Sequence, residues 1–426
     1  MPHKHAMVLL GLIAAAVFAG GLSGWLWGPA MEGVAWMGDL FLNALRMLIV
    51  PLILAAVISS VASLGDVRKL GRIGGATIGY YLLTTAIAVL IGLVVVNLIR
   101  PGAGLHPASA EVPAQILSRP ETGIGDILLS LVSPNLFAAA AESHLLPLIV
   151  FAILFSAALS TMGDGGAVVL RFFDAVNEAM MKLVIWLMYF APLGIFALVA
   201  ARLGKTGGGE AFVAEIAAVG WYVATVLSGL AIHFLVLLTI LALVAGRGVS
   251  YLVTMLRALL TAFGTASSSA TLPVTMECAR ENEVDDRAVR FVLPLGSTVN
   301  MDGTALYEAV AAIFIAQAYG IDLSTGQQAL VFVTATLAAI GAAGIPEAGL
   351  ATMIIVLNAV GLPLEGIALL LAVDWFLDRF RTTINVWGDA VGAAVIDRFL
   401  RRGDRAPAGT SSGTGTGTET RTGTPA

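Results

Sequence analysis

The chain has 426 residues, of which 58% are hydrophobic and 12% are charged, and its mean hydropathy is +0.91. A soluble domain carries about 25% charged residues, so this composition excludes a soluble globular protein. The net charge is −5 and the sequence has no long basic run, which excludes a nucleic-acid partner. The single cysteine, Cys278, excludes an intrachain disulfide, and no cysteine and histidine cluster offers ligands for a soft metal.

Apolar segments long enough to cross a bilayer alternate with short polar connections. A hydrocarbon core about 30 Å thick needs ~20 apolar residues in each spanning helix. The predicted spans are 7–28, 37–63, 73–99, 126–160, 167–201, 211–245, 288–319 and 363–400. The sequence therefore predicts an all-α polytopic membrane domain with eight transmembrane helices. The Gly- and Thr-rich tail over 403–426 is predicted to be disordered.

Two further apolar segments, 252–280 and 328–362, are interrupted by small residues and a proline, and are predicted to be broken helical hairpins. We place both termini in the cytoplasm and let the hairpins re-enter from opposite sides. Of the 23 Lys and Arg residues, 14 then lie inside and 4 outside, as the positive-inside rule requires. Irregular backbone at membrane depth is tolerated where it lines a cavity, so the two inverted hairpins are predicted to form a transporter's binding site.

The last predicted span carries a polar stripe on an apolar helix. Its members are Asp374, Asp378, Arg381, Thr382, Asn385 and Asp389. At about 100° per residue they fall within an arc of roughly 100°. The stripe is either a structural ion-pair network or a functional site, and the cost of intramembrane charges favours function.

The spacing of this stripe suggests a substrate class. The Arg381 guanidinium suits a carboxylate, while Asp378, about 4.5 Å away along the helix axis, can accept an ammonium group. The hydroxyls of Ser267, Ser268 and Ser269, with a helix N-terminus, can take a second carboxylate. An acidic amino acid carries these three groups. The pattern does not separate glutamate from aspartate, which differ by one methylene.

Asp302, Glu308 and Asp389 are acids within apolar segments. Such carboxyl groups bind cations or stay protonated, although Asp302 could instead be satisfied by neighbouring hydroxyls. Asp302, Asp389, Asn385 and unwound carbonyls offer the oxygen ligands of a hard cation. Moving an anion into a negative cell interior costs about 2.3 kcal/mol per charge per 100 mV, so uphill uptake needs more than one accompanying cation. These residues therefore predict a symporter.

Four ordered motifs resemble the dicarboxylate/amino acid:cation symporters, the family of the excitatory amino acid transporters. The motifs are SSSATLP at 267–273, NMDGT at 300–304, GAAGIP at 341–346 and DWFLDRFRTTINVWGD at 374–389. The resemblance covers Met7 to Arg402. It implies a homotrimer in which a mobile transport part carries substrate and sodium past a scaffold in an elevator-like motion. The scaffold would be 7–63 and 126–201, and the transport part 73–99 and 211–400.

The resemblance also implies the site residues. With Ser267 from the serine run, the substrate would be bound by Ser268, Thr304, Asp378, Arg381, Thr382 and Asn385, with Ile345 and Gly349 closing over it. One sodium would be held by Asp389 with backbone of Gly296, Asn300 and Asn385. A second would be held by the Met301 sulfur with carbonyls of Thr298, Ala339, Ile340 and Ala342. A third would be held by Asp302, Asn300, Tyr81, Thr84 and Thr85. Asp374 and Arg379 would support the substrate site.

Details within the motifs point to a branch of the family. Archaeal members have an arginine where this chain has Ala266, whereas vertebrate excitatory members have an arginine at the position of Arg379. Glu308 also matches those members, where it serves proton cotransport and potassium counter-transport. We predict both couplings here; the alternative is a Glu308 that stays protonated throughout. Glu347, at the tip of the second hairpin, either faces external water or weakens anion entry.

These residues disfavour some rival functions and leave others open. C4-dicarboxylate carriers lack an acid at the position of Asp378, and neutral amino acid carriers lack an arginine at that of Arg381. A proton-coupled carrier of the same family and a substrate-gated anion channel stay open. The serine run lacks a GxSxG context, and neither His144 nor His233 is paired with it by a motif, so an enzyme is not expected. The Ala- and Gly-rich composition favours a bacterial inner membrane.

Overall fold

The computed structural model describes residues 3–62, 71–105, 125, 129, 131–142, 145–205, 209–342 and 348–404. Regular structure in these ranges is helical, and no β-strand occurs within them, which agrees with the predicted all-α class. Long, apolar helical stretches that could cross a membrane are Gly11–Phe41, Ile73–Ile99, Ile216–Ala245 and Asp286–Ala318. The chain is a polytopic membrane protein; the count of eight spans with two re-entrant hairpins stays a prediction.

The helices are numbered in chain order among the described residues. The first seven are α1 His3–Trp27, α2 Ala35–Ala62, α3 Gly71–Ile99, α4 Leu136–Ala141, α5 Leu145–Ser160, α6 Asp164–Met188 and α7 Ala191–Lys205. The others are α8 Gly209–Ile240, α9 Val249–Thr265, α10 Ser268–Glu281, α11 Asp286–Val299, α12 Asp302–Ala318, α13 Thr325–Ala338, α14 Ala348–Val360 and α15 Ile367–Asp404. A π-helical turn, Leu241–Ala245, extends α8, and 3-10 turns occupy Gly28–Val34, Ala339–Gly341 and Leu364–Gly366.

Two spans expected to be single helices are divided. Segment 126–160 contains α4 and α5, and residues 131–135 before α4 are not helical. There the Asn135 side chain accepts hydrogen bonds of 3.0 and 3.1 Å from two backbone N–H groups of α4, which starts a new helix. Segment 167–201 is divided between α6 and α7 just before Pro192, which lacks a backbone N–H and suits a first helical turn. Hydropathy alone did not reveal either division.

The expected single helix over 288–319 is also wrong, because α11 and α12 are separated at Asn300 and Met301. Asn300 has φ −99° and ψ 89°, and Met301 has φ −115° and ψ 53°, both outside helical values. The last carbonyl groups of α11 and the first N–H groups of α12 therefore lack the partners of a continuous helix. This break lies inside one of the membrane-length stretches, Asp286–Ala318.

Both predicted hairpins are interrupted, as expected. Between α9 and α10, Ala266 adopts a left-handed conformation with φ 48°, and the Ser267 hydroxyl caps α10 by accepting from the Ala270 N–H at 3.2 Å. After α13 the chain passes through a 3-10 turn to an extended Ala342. The tip that carries Ile345 and Glu347 lies outside the described residues.

The C-terminal helix is longer than expected. Because α15 continues to Asp404, the first two residues of the predicted tail are helical. Residues 405–426 lie outside the described part of the chain.

The most buried helix is α12, in which all residues except Gln317 are buried. A helix that is apolar nearly all round needs neighbours on every side, and α3, α8, α13, α14 and α15 surround it. A second group is formed by α1, α2, α5, α6 and α7, where α1 packs on α7 and α2 packs on α5, α6 and α7. The polar residues of α12 are therefore enclosed within the first group.

The cytoplasmic end of α15, in the predicted topology, is bound to the exit of the first hairpin by Asp397, which is 2% exposed. This carboxylate accepts hydrogen bonds from Arg247 at 2.7 Å, from Arg401 at 2.9 Å and from the Asp285 N–H at 3.0 Å. Asp285 in turn binds Arg287, whose guanidinium holds the pKa of that carboxyl group below its usual value. The loop before α11 is thus fixed to α15.

Close packing between α3 and α12 depends on Gly92. A Cβ atom at this position would lie 2.9 Å from the Leu306 carbonyl oxygen and 3.2 Å from side-chain atoms of Leu306 and Val310. Backbone cannot move aside as a flexible side chain can, so only glycine permits this approach. Gly79, on the same helix, has open space where its Cβ would be.

We expect Gly92→Ala to lower the melting temperature of the detergent-solubilised protein, because overpacking costs about 1–3 kcal/mol. Gly79→Ala is the matched control and should be neutral or stabilising, since alanine gains up to about 1 kcal/mol over glycine inside a helix. Thermal unfolding followed by circular dichroism measures both. Equal melting temperatures for the two variants would contradict the close contact of α3 and α12.

Candidate functional site

The polar stripe of α15 faces the protein interior. Its six residues, at positions 374, 378, 381, 382, 385 and 389, are each at most 5% exposed. They face α12 and the first interrupted hairpin, which pack against α15. In the second hairpin, Gly349 lies against Arg381. Intramembrane charges need partners, so the contacts of each member decide what the stripe can do.

Arg381 is fully buried and is held from three sides. Its Nη1 forms an ion pair with Asp374 Oδ1 at 2.9 Å, and its Nη2 donates to Asp378 Oδ1 at 2.8 Å. The guanidinium carbon lies 4.0 Å from the ring centroid of Tyr307, a cation–π contact. Nevertheless Nε has no hydrogen-bond acceptor among the described residues, and the contact of Nη1 with Asp374 is an ion pair without good hydrogen-bond geometry. A buried donor without an acceptor is costly, and a ligand carboxylate would supply one.

Both hairpins meet α15 within one helical turn. Arg379 donates from Nη1 to the carbonyl oxygens of Phe263 and Gly264, at 2.9 and 3.0 Å, so a cation covers the C-terminal end of α9. In the second hairpin, a Cβ on Gly349 would lie 3.0 Å from Arg381 Nη1. The two hairpins thus enclose the same turn of α15.

The other predicted substrate ligands differ in how directly they contact this turn of α15. Thr304, on α12, accepts from Asn385 Nδ2 at 3.3 Å, and its methyl group would lie 3.3 Å from a Gly349 Cβ. Thr382 and Ser268 are buried. The Ser267 hydroxyl is engaged in capping α10, so its role here is to fix the hairpin's second helix. Ile345 lies outside the described residues.

A polar cluster lies at the break between α11 and α12. Asp302 Oδ1 accepts from the hydroxyl of Thr85 at 2.7 Å and from that of Thr84 at 3.4 Å. Asp302 therefore has the neighbouring hydroxyl partners that the structural alternative expects. Asp389 Oδ1 accepts from Asn300 Nδ2 at 3.0 Å. The backbone of Gly296 approaches Asp389 so closely that a Cβ there would lie 2.6 Å from the Asp389 Cγ. The cluster brings α3, α11, α12 and α15 together.

Other predicted cation ligands have defined contacts. Tyr81 donates to the Val292 carbonyl at 2.7 Å rather than to Asp302. The Asn385 side chain accepts from the Gly303 N–H at 2.7 Å and donates to the Met301 sulfur at 3.2 Å. Its backbone is one helical turn before Asp389.

The second predicted sodium site is brought together at the level of helices. The Thr298 hydroxyl donates to the Leu295 carbonyl at 3.0 Å, within α11. The 3-10 turn that contains Ala339 and Ile340 packs against α11 and α12, and Ala342 follows it. Among the described residues, no three His, Cys, Asp or Glu side chains group as in a multivalent metal site. The oxygens present suit a hard monovalent cation better than zinc or iron.

Glu308 follows Thr304 by one turn of α12, so it lies on the same face of that helix. It is fully buried, and neither carboxyl oxygen makes a hydrogen bond of good geometry among the described residues. The Thr352 hydroxyl of α14 is its neighbouring polar group. Glu308 therefore forms no salt bridge with any of the residues that the structure describes.

Two residues of this region were not predicted from the sequence. His233, on α8, contacts Asp302 at 3.0 Å, although it had been considered only as a partner for the serines. The sequence signal that could have identified His233 is an ionisable side chain in an apolar span. Tyr307, which lies against Arg381, carried no signal in the sequence because a buried tyrosine is common in cores.

Comparison with known proteins identifies the architecture that holds this site. The family model described as the sodium:dicarboxylate symporter family matches residues 9–399. The chain belongs to the sodium:dicarboxylate symporter family. It is therefore a membrane symporter and not an enzyme, which confirms the exclusion of serine chemistry.

Relatives of this symporter cover most of its length. A mouse protein named excitatory amino acid transporter 3 is 40% identical, over 86% of this chain and 79% of its own. A putative sodium-dependent excitatory amino acid transporter of Caenorhabditis elegans is 40% identical, over 85% of this chain and 82% of its own. Excitatory amino acid transporter 1 of Ambystoma tigrinum is 39% identical, over 85% of this chain and 77% of its own. The predicted family is confirmed.

Proposed function

We propose that this symporter takes up an acidic amino acid, L-glutamate or L-aspartate, together with sodium ions. The observation that carries the proposal is Arg381, a fully buried guanidinium whose Nε lacks a hydrogen-bond acceptor among the described residues. A side-chain carboxylate of the substrate would supply an acceptor for Nε and for Nη2, its neighbour on the same edge of the guanidinium, in one bidentate contact. The names of the relatives support the same substrate class.

The rest of the substrate has partners nearby. Asp378 is 5% exposed and can accept the α-ammonium group once the substrate carboxylate shares its hydrogen bond to Arg381. Asp374 stays as the second anion behind the guanidinium, which leaves the cation held in its place. Hydroxyl, amide and backbone groups for the α-carboxylate and the substrate backbone would come from Thr304, Thr382, Asn385 and the N-terminus of α10 at Ser268. Ile345 and Gly349 belong to the hairpin that closes over them.

Sodium coupling is proposed at the three ligand sets around the α11–α12 break. Asp302 and Asp389 provide negative charge there, while Asn300, Thr84 and carbonyl groups provide neutral oxygens. Uptake of an anion against a membrane potential needs more than one accompanying positive charge. Several oxygen-lined sites, each holding one sodium ion, supply these positive charges.

Uptake of radiolabelled L-glutamate and L-aspartate into proteoliposomes tests the substrate and the ion. We expect accumulation with a sodium gradient and none when choline replaces sodium. Arg381→Ala should reduce accumulation at least ~100-fold, because loss of a buried charge-assisted contact costs about 3 kcal/mol or more. The control is Arg257→Gln, which removes an exposed arginine paired with Glu277 and Glu281 and should transport normally.

Three results would contradict the proposal. Accumulation driven by a proton gradient without sodium would turn the carboxylates into proton sites. Transport of dicarboxylates or neutral amino acids in preference to glutamate and aspartate would reassign the substrate. Substrate-gated anion current without accumulation of substrate would make the protein a channel.

We further propose that the protein works as a homotrimer by an elevator motion in the bacterial inner membrane, with both termini cytoplasmic. The scaffold would comprise α1, α2 and α4–α7, and the transport part would comprise α3 and α8–α15. The two parts touch at their predicted outer end, where Arg202 Nη1 donates to the Tyr319 hydroxyl at 3.2 Å. An elevator motion would separate this pair.

Reversible cross-linking tests the motion. In a Cys278→Ser background, we expect a bifunctional thiol reagent on Arg202→Cys with Tyr319→Cys to stop uptake, because it joins scaffold to transport part. The matched pair is Asn97→Cys with Gln328→Cys, whose native side chains hydrogen-bond at 3.0 Å within the transport part. Cross-linking that pair should spare uptake. Undiminished uptake by the cross-linked first pair would contradict the elevator proposal.

Glu308 is proposed to exchange a proton for potassium during each cycle. Support comes from its full burial without a salt bridge to any described residue, which leaves the carboxyl group open to either ion. We expect Glu308→Gln to abolish the dependence of net uptake on internal potassium while sparing sodium-dependent exchange of internal for external substrate. Glu281→Gln, an exposed acid, is the control and should keep the potassium dependence. If the wild-type rate is unchanged when internal potassium is removed, Glu308 does not couple potassium.

A further inference from the structure

His233 and Asp302 form a buried pair between α8 and α12. Both side chains are 0% exposed, and Nε2 of the imidazole lies 3.0 Å from Oδ2 of the carboxylate. Hydrogen bonds to buried charged groups are stronger than those between neutral groups. Because Asp302 is a proposed cation ligand, this hydrogen bond can affect how the carboxylate binds a cation.

The Asp302 carboxylate is held from two different helices, α3 and α8. On one side Oδ1 accepts from the Thr85 hydroxyl of α3 at 2.7 Å. On the other side Oδ2 meets His233 of α8, and a Cβ on Gly388 of α15 would lie 3.1 Å from the same oxygen. With donors on both oxygens, the plane of the carboxylate cannot rotate freely. Oδ2 keeps a second lone pair, because a carboxylate has about four acceptor positions, and the second position of Oδ1 has only the long contact with Thr84 at 3.4 Å.

The surroundings of the ring indicate which nitrogen donates. Nδ1 of His233 is buried and has no hydrogen-bond partner among the described residues. A proton on Nδ1 would be a buried donor without an acceptor, whereas a lone pair there costs less. The arrangement therefore suits a neutral ring that carries its proton on Nε2 and donates to Asp302.

We infer that His233 is a positioning residue for the cation site at Asp302: its Nε2–H fixes the carboxylate so that the remaining lone pairs face a sodium ion. The inference rests on the proposed sodium coupling. Donors behind a metal-binding group orient that group in many proteins. Here the donor comes from α8, a helix that supplies none of the proposed cation ligands. The histidine acts as a fixed hydrogen-bond donor.

Three variants separate this role from simpler ones. His233→Gln places an amide nitrogen near the position of Nε2, and His233→Asn places one near the position of Nδ1, facing away from Asp302. Thr225→Val is the control on α8, since Thr225 is buried and donates only to the Trp221 carbonyl of its own helix. Two readouts apply to each protein. One is the sodium concentration for half-maximal uptake, and the other is the sodium concentration that half-maximally raises the melting temperature without substrate.

We expect His233→Asn to raise both sodium concentrations about 10-fold or more, as loss of a group behind a metal ligand does. His233→Gln should stay within about threefold of the wild type, because one neutral donor replaces another. Thr225→Val should match the wild type.

Other outcomes overturn the inference. Equal loss in the Gln and Asn variants would mean that the ring itself is needed, as in a proton carrier. An Asn variant with unchanged sodium dependence would mean that the contact does not position Asp302, and equal loss in Thr225→Val would mean that α8 is merely destabilised. A wild-type protein without any sodium effect on uptake or melting temperature would instead refute the proposed function.

Discussion

The Arg381 guanidinium is a positive charge buried inside a membrane protein, and the packing of α12 and α15 around it follows from the need to stabilise that charge. A charge in a membrane interior is tolerated only where other groups replace its hydration. Asp374, Asp378 and the Tyr307 ring do so here, and all of them belong to α12 or α15. Two anions face one cation, yet Nε of that cation has no acceptor in the described part of the chain, so the cluster is held in place without being fully satisfied. A ligand that brings both a carboxylate and an ammonium group complements it.

The helix breaks serve the same end by a different route. A continuous helix uses its own N–H and C=O groups, so it has none to offer a ligand or an ion. The breaks at Ala266 and Asn300 release such groups inside the protein, next to α15. The cost of these breaks is met by side chains: Ser267 caps α10, and Arg379 covers the carbonyl groups at the end of α9. Polar residues in these motifs thus have structural duties as well as proposed ligand roles.

Much of this organisation was readable from residue order. The interruptions of both hairpins followed from small residues and proline inside apolar runs, and the polar stripe of α15 followed from its spacing on one helical face. The divisions before Asn135, before Pro192 and at Asn300 were missed. Polar residues mark two of these divisions, at Ser133 to Asn135 and at Ser297 to Asp302, but an average over a span of about 20 residues absorbs them. The backbone and its capping bonds reveal all three divisions.

Residue order was enough to establish that the chain is a helical membrane protein, which family motifs it carries and which face of the last helix is polar, because these properties depend on composition and on spacing within one segment. The folded structure was needed to show that Asp374 and Asp378 share Arg381, that both hairpins enclose one turn of α15 and that His233 lies behind Asp302. These contacts join residues far apart in the chain, and their partners are chosen by how α3, α8, α12 and α15 pack.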